Sequence, residues 1–99
     1  MQNLDRKYLR EVLEQVPKLS TELEQDIVPF IGREFASLDP VERAILRLGA
    51  YELKLRLDVP TKVVMNEMIE IAKVFGSEHS YKFINGVMDK LAKSLRKTK

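Results

Sequence analysis

An all-α fold is predicted by three features of this sequence. Apolar residues recur with helical spacing, short turn signals separate the segments that carry them, and no segment alternates apolar and polar residues as a half-buried strand would. Five such segments follow one another, with connections short enough for antiparallel neighbours. The sequence therefore predicts about five helices in a single domain, residues 1–99, a length that can bury one modest core.

The first two helices are predicted on either side of Pro17, which is expected to stop the first one. Ser20 or Thr21 can cap the second helix, and Pro29 either kinks that helix or ends it one residue earlier. Gly32 is its expected stop. The apolar stripes comprise Leu4, Tyr8, Leu9, Val12, Leu13 and Val16 in the first helix, and Leu23, Ile27, Phe30 and Ile31 in the second, with Phe35 and Leu38 covering the core from the next connection.

The third helix has the clearest start. Asp39 can accept a hydrogen bond from the N–H of Glu42, whose side chain can reach back, and Pro40 takes the first helical position, where no N–H is needed. Apolar residues lie almost all round residues 41–57, which is typical of a central helix. Gly49 in its middle costs about 1 kcal/mol relative to alanine, so we expect a neighbouring helix to approach closely there.

The last two helices are separated from their neighbours by clear breaks. Pro60 precedes the fourth helix, which runs to about Phe75, and Gly76 and Ser77 are suited to end it and to cap the fifth. Their predicted buried faces comprise Val64, Met65, Met68, Ile69, Ile71, Ala72 and Phe75 in the fourth helix, and Ile84, Val87, Met88, Leu91 and Leu95 in the fifth.

The dipeptide Asn85-Gly86 is a strong hairpin signal. Its flanks have helical period, so we predict that it lies inside the fifth helix instead. Gly86 is then expected to mark a second close helix contact. Asn85, on or near the inner face, would need a hydrogen-bonding partner, for which Asn66 is the candidate.

The composition is ordinary for a soluble globular protein, with 44% hydrophobic and 32% charged residues. The chain has no cysteine, no signal peptide and no apolar run of the ~20 residues that span a membrane, so a cytoplasmic protein is expected. The formal net charge is only +2. The last ten residues nevertheless hold five cations, which fit either a solvated helix end or a phosphate-attracting patch: Lys90, Lys93, Arg96, Lys97 and Lys99.

Catalysis is poorly supported by the sequence. His79 is the one histidine and has no matching ligand at metal spacing, and there is no glycine-rich phosphate loop. Glu67 and Glu70, near Lys73, read as a solvated helix face. We therefore predict a protein that is not an enzyme and that uses no metal and no cofactor.

The start of the fifth helix, residues 77–83, favours a binding role. It combines hydroxyl, aromatic and basic side chains at a helix N-terminus, where free N–H groups attract phosphate. Aromatic side chains can stack unpaired bases, at ~1–3 kcal/mol each. The alternative, which composition alone favours, is that Tyr81 and Phe83 simply cover the core.

Short strings spread along the chain carry a further signal: Val41-Glu42-Arg43-Ala44-Ile45-Leu46-Arg47-Leu48, Tyr51-Glu52-Leu53, Asp58-Val59-Pro60, Lys62-Val63, Asn66-Glu67, Ala72-Lys73, Phe75-Gly76, Lys82-Phe83, Asn85-Gly86-Val87 and Asp89-Lys90. Tyr8-Leu9 and Pro29-Phe30 precede them. Together these strings resemble the sequences of a known family, the NusB transcription antitermination factors. The similarity is strong across residues 38–92 and looser across residues 5–35.

The resemblance implies an all-helical protein that binds boxA-type single-stranded RNA. Family members do so best with NusE, a small-ribosomal-subunit protein, in the RNA polymerase antitermination complex. By position, Glu42 corresponds to the acidic contact to NusE, and His79, Lys82 and Phe83 correspond to the RNA-facing helix entrance. The family often has an acidic residue in place of His79, so RNA affinity is expected to be kept or raised here.

One departure from the family is large. Family members carry two further helices before the position of Asp5, the first with an arginine-rich segment, so this chain is expected to bind RNA more weakly and with less salt dependence. The stripe of the first helix would then lack its partners. An exposed stripe of this kind usually means association, domain swapping or instability, so homo-oligomerisation through that face is one of three expectations. Two alternatives stay open: the N-terminal RNA-binding part of a ribosomal-RNA cytosine methyltransferase, and a self-associating helical module that binds no RNA.

Overall fold

The computed structural model describes residues 6–75 and 77–96, with side chains for all of these except residues 6–9 and 13. Five α-helices and two short 3₁₀ turns make up this part of the chain, which contains no strand. The helices are α1 (Arg6–Lys18), α2 (Ser20–Ile27), α3 (Pro40–Leu55), α4 (Thr61–Phe75) and α5 (Glu78–Leu95), and the 3₁₀ turns are Val28–Phe30 and Phe35–Ser37.

Helix α3 is central, as its apolar residues predict. It packs against α4 and α5, and α1 and α2 also contact it. Helices α3 and α5 run parallel, because Ser80 contacts Glu42 near the start of both helices and Arg96 reaches Leu53 near their ends. Helix α4 joins them and runs in the opposite direction. The starts of α3 and α5 therefore lie side by side.

One core of apolar side chains holds the described helices together. Fully burying a valine, leucine, isoleucine, phenylalanine or methionine side chain contributes roughly 1.5–3 kcal/mol relative to leaving it exposed. Phe35 and Leu38 lie in this core, as predicted. The residues with essentially no exposed surface are Leu23, Ile27, Leu46, Ala50, Leu53, Val64, Ala72, Ile84, Met88 and Leu91.

Pro17 does not stop α1, which continues to Lys18. The turn closes because the N–H of Leu19 donates to the carbonyls of Gln15 and Val16, at 3.1 and 3.2 Å. Only Leu19 then separates α1 from α2, and its backbone is not extended (φ −102°, ψ 7°). An N-cap normally needs extended backbone, so the prediction that Ser20 or Thr21 caps α2 is wrong: the helix begins at Ser20 without a side-chain cap.

The connection from α2 to α3 follows the second of the two predicted courses. Helix α2 ends at Ile27, and Pro29 lies inside the 3₁₀ turn that follows. Gly32 then has a positive φ of 70°, a conformation that suits glycine. It follows the 3₁₀ turn and so ends the helical run of α2 and that turn, as predicted. The capping box at the start of α3 is also present, with the N–H of Glu42 donating to Asp39 Oδ1 at 3.0 Å and the N–H of Asp39 donating to Glu42 Oε1 at 3.3 Å.

Charged and phenolic side chains fasten α1 and α2 to α3. Tyr51 Oη donates to Glu11 Oε2 at 2.6 Å, and burial together with this bond raises the pKa of Tyr51 to about 12. Lys54 Nζ lies 2.8 Å from both Asp26 Oδ2 and Glu22 Oε2. The hydrogen bond to Asp26 is the largest cause of the raised pKa of Lys54.

Gly49 and Gly86 differ in their surroundings. A Cβ on Gly49 would lie 2.6 Å from Met88 Sδ and 3.2 Å from Met68 Cγ, which confirms the predicted close contact. A Cβ on Gly86 would meet nothing within 4 Å, so the predicted second contact is wrong. The buried positions of α5 place Gly86 on the outer side of the helix.

Two further expectations about burial are wrong. Asn85 and Asn66 are both exposed, and no hydrogen bond joins them. Phe75 is 69% exposed, because α4 ends at this residue and no described neighbour covers it. Of the predicted stripe residues in the first helix, Val12 and Val16 pack against the core. Leu4, the side chains of Tyr8, Leu9 and Leu13, and the residues Gly76, Lys97 and Lys99 lie outside the description.

Candidate nucleic-acid interface

The start of α5 is held by a side-chain cap. Ser77 has extended backbone (φ −83°, ψ 172°), and its Oγ accepts a hydrogen bond from the N–H of Ser80 at 3.1 Å. This confirms the predicted N-cap. Glu78 follows in the first turn, where an acidic side chain interacts favourably with the helix dipole. We use the name α5 entrance for residues 77–83.

The three predicted RNA-contacting residues share one side of the α5 entrance. His79, Lys82 and Phe83 have the spacing i, i+3, i+4, which places them on one helix face. His79 is exposed, and the Lys82 side chain is 69% exposed, with its Nζ 3.3 Å from Glu78 Oε2. An ion pair this exposed stabilises the helix by only a few tenths of a kcal/mol, so it leaves the lysine free to exchange partners.

Phe83 has a mixed environment. It is partly buried and packs against the hydrophobic core, so the ring contributes to the stability of the fold. The structure therefore supports part of the simpler interpretation, in which this aromatic covers the core. Phe83 shares its helix face with His79 and Lys82, so its partly exposed ring could stack a base there.

Glu42, the predicted protein-contacting residue, lies beneath the α5 entrance and is only 7% exposed. Its Oε1 accepts the hydrogen bond from the N–H of Asp39, and its Oε2 accepts one from Ser80 Oγ at 2.8 Å. The tertiary structure thus brings Glu42 next to the predicted RNA-contacting residues. Both carboxylate oxygens already have donors within the chain.

A contact that the sequence did not predict borders the same entrance. Lys73 Nζ lies over the ring of Tyr81, 5.4 Å from its centroid, which is cation–π distance. These two residues, with Ser77 and Glu78, line an open groove of 340 Å³. No local sequence signal could have identified the contact between Lys73 and Tyr81, because Lys73 belongs to α4 and Tyr81 to α5.

The exposed surface near this groove is partly apolar. Val74 is 70% exposed and Phe75 is 69% exposed, directly before the turn that leads into α5. Helical spacing placed Phe75 in the core, and only its position at the end of α4 leaves it uncovered. The α5 entrance and the end of α4 together therefore offer cationic, aromatic and aliphatic groups, a combination suited to stacking bases and attracting phosphates.

Two other kinds of site are absent from residues 6–75 and 77–96. This part of the chain contains no cluster of three or more histidine, cysteine, aspartate or glutamate side chains that could hold a metal ion. It also contains no helix that is both long and apolar enough to cross a membrane.

Comparison with known proteins identifies the family. The model of the NusB family matches residues 1–93. The chain belongs to the NusB family. This membership confirms the resemblance found in the sequence, and it confirms the prediction of a protein that is not an enzyme.

Individual relatives agree with the family match. The transcription antitermination protein NusB of Pseudoalteromonas atlantica is 56% identical over 97 residues, which cover 98% of this chain and 69% of the relative. The Pasteurella multocida protein of the same name is 49% identical, covering 93% and 64%. The chain thus spans about two thirds of the length of these NusB proteins.

The all-α NusB fold is confirmed by a solved structure. T. maritima NusB superimposes with a TM-score of 0.84 at 34% sequence identity, covering 90% of this chain and 66% of that one. The names of the relatives support a role in transcription antitermination. The residue assignments at the α5 entrance and at Glu42 stay predictions.

Proposed function

We propose that this chain is a NusB-type antitermination protein that binds boxA-type single-stranded RNA together with NusE. It acts in the cytoplasm as part of the RNA polymerase antitermination complex. The observation that supports this proposal most is the family match over residues 1–93. The alternative role, as the RNA-binding part of a cytosine methyltransferase, has no comparable support, because the relatives named above are antitermination proteins.

The RNA-binding part of the proposal rests on the α5 entrance. His79 and Lys82 are exposed on the same face as the partly exposed ring of Phe83. In this arrangement Lys82 attracts a phosphate of the RNA backbone and Phe83 stacks an unpaired base. His79 adds a hydrogen-bonding ring without the negative charge that a carboxylate would bring close to phosphate.

The protein-binding part rests on the first turn of α3. Asp39 and Pro40 are exposed there and lie beside Glu42. NusE would contact this turn, next to the RNA face, so that one partner borders the site of the other. Glu42 itself has little exposed surface for a direct contact.

Titration of a labelled boxA-like RNA oligonucleotide, followed by fluorescence anisotropy over a salt series, tests the RNA site. Lys82→Ala should lower the affinity and reduce the slope of log K against log salt by about 0.7, the value for one lost phosphate contact on a single strand. Lys62→Ala is the matched control, because Lys62 is also exposed but lies at the opposite end of the bundle. Equal slopes for the two variants would contradict the proposed site.

A second pair of variants tests stacking. Phe83→Ala should weaken RNA binding by ~1–3 kcal/mol, whereas Phe83→Leu keeps most of the packing volume and removes only the π face. If stacking matters, both variants lose RNA affinity while Phe83→Leu keeps most of its thermal stability. An unchanged RNA affinity in Phe83→Leu would leave this residue with a packing role only.

Self-association is the second candidate function, and an apolar groove between α1 and α3 favours it. The groove has a volume of 280 Å³ and is lined by Val12, Val16, Pro17, Ala44, Arg47 and Leu48. Light scattering with a salt series distinguishes the two functions. An oligomer that Val16→Asp dissociates, and that gives no RNA shift at low salt, would support self-association in place of RNA binding.

A further inference from the structure

The helix caps of α3 and α5 form one chain of hydrogen bonds. In α3, Asp39 and Glu42 cap each other through backbone N–H groups. In α5, Ser77 accepts from the N–H of Ser80. The 2.8 Å bond from Ser80 Oγ to Glu42 Oε2 joins the two caps, although the residues are 38 positions apart in the chain.

This connecting bond is shielded from water. Glu42 is 7% exposed and Ser80 is 6% exposed. A buried carboxylate needs donors, and hydrogen bonds to a charged group contribute more than those between neutral groups. Removing the Ser80 hydroxyl would leave Glu42 Oε2 without its donor in the described part of the chain.

The bond also has a direction that the neighbouring contacts lack. Helices α3 and α5 also contact each other along their lengths, and both contribute apolar side chains such as Ile45 and Ile84 to the core, where attraction depends little on orientation. Ser80 lies one residue after His79 and two before Lys82. A small rotation or slide of α5 would therefore displace the proposed RNA-contacting side chains together, and the Ser80–Glu42 bond opposes that displacement.

We propose that Ser80 is a positioning residue that couples the protein-binding turn of α3 to the RNA-binding entrance of α5 through its hydrogen bond to Glu42. This inference rests on the proposed function. The Glu42 carboxylate already has the orientation that Ser80 requires in the chain alone. NusE at the first turn of α3 stabilises that orientation further, and this favours the RNA-competent position of α5. Glu42 then affects NusE and RNA binding by fixing the geometry between them.

Binding of NusE and binding of RNA are thermodynamically linked in this arrangement. If NusE raises RNA affinity by some factor, RNA raises NusE affinity by the same factor, and typical values are about 5–150. A ligand shifts a conformational equilibrium only through its different affinities for the two states. Without the Ser80 hydroxyl, NusE binding no longer stabilises the RNA-competent position of α5, and the factor by which NusE raises RNA affinity falls.

The experiment measures the dissociation constant of a labelled boxA-like RNA with and without saturating NusE, for the wild type and for Ser80→Ala. We expect Ser80→Ala to reduce the coupling factor roughly tenfold or to abolish it, since a buried charge-assisted hydrogen bond corresponds to about tenfold in an equilibrium constant. Ser94→Ala, an exposed serine near the end of α5, is the control and should keep the wild-type factor.

Two additional variants separate positioning from general loss of structure. Ser80→Thr retains the hydroxyl and should restore most of the coupling. Glu42→Gln keeps the side-chain shape and a hydrogen bond to Ser80 but removes the charge, so its coupling factor should lie between those of the wild type and Ser80→Ala. Circular dichroism sets a temperature at which every variant is folded, so a merely destabilised variant keeps its coupling factor.

The outcomes are distinguishable. If the wild type binds RNA and NusE cooperatively and folded Ser80→Ala keeps the same coupling factor, the positioning role is overturned while the proposed function stands. If the wild type binds neither RNA nor NusE, the proposed function fails and the inference fails with it. A reduced factor in Ser80→Ala that Ser80→Thr restores supports the positioning role.

Discussion

Replacing each of the two mid-helix glycines by alanine should stabilise the protein at Gly86 but not at Gly49. Gly49 lies within α3 and Gly86 within α5. In a helix interior, alanine is favoured over glycine by about 1 kcal/mol, and this gain applies to both substitutions. Since a Cβ on Gly86 meets nothing within 4 Å, Gly86→Ala should raise the free energy of unfolding by about that amount.

Gly49→Ala carries an opposing cost. The new Cβ would lie 2.6 Å from Met88 Sδ, 2.7 Å from Met88 Cε and 3.2 Å from Met68 Cγ. A methionine end can move, but Met88 is fully buried, so its displacement disturbs other core side chains. Overpacking of this kind costs about 1–3 kcal/mol. After the propensity gain, Gly49→Ala should be neutral or destabilising by up to about 2 kcal/mol.

The difference between the two variants isolates the packing cost, because the propensity gain cancels. Urea denaturation followed by circular dichroism gives both free energies, with equal m-values as the sign that the unfolded states are comparable. Each kcal/mol corresponds to roughly 4–8 °C in Tm for a domain of this size. If both variants gained the same stability, the contact of Gly49 with Met88 would not constrain α3, and the reasoning would be refuted.

Three further measurements test contacts that cross or begin helices. Arg96 donates to five acceptors near the ends of α3 and the start of α4, so Arg96→Ala should cost about 1–3 kcal/mol, whereas the exposed Lys93→Ala should change stability little. Asp39→Ala removes the α3 cap and should cost about 1 kcal/mol in the same urea assay; no loss would contradict the capping role. The raised pKa of Tyr51, about 12 against 10.0, means that the unfolded state loses its phenolic proton first. The free energy of unfolding should therefore fall as the pH rises from about 10 to about 12, more steeply in the wild type than in Tyr51→Phe.

The sequence by itself determined those features that depend on a few neighbouring residues. The capping box of Asp39 and Glu42, Ser77 as the α5 cap and Gly32 as a stop all arise from hydrogen bonds or backbone angles within about four residues. Such local signals survive whatever the rest of the chain does. Helical spacing likewise identified most of the core, and the matched strings identified the family.

Only the tertiary structure decided which predicted faces are covered. Gly49 and Gly86 look alike in the sequence, yet one touches Met88 and the other touches nothing, because burial depends on which helix lies opposite. Phe75 has the helical spacing of a core residue, but it is the last residue of α4 and no described neighbour covers its side chain.

The candidate site divides in the same way. The α5 entrance was visible in the sequence because its hydroxyl, basic and aromatic residues are consecutive. The contact of Glu42 with Ser80 was not visible, since it exists only because α3 and α5 run parallel with their starts side by side. A local pattern specifies a helix and its ends, whereas the pairing of distant side chains follows from how the helices pack.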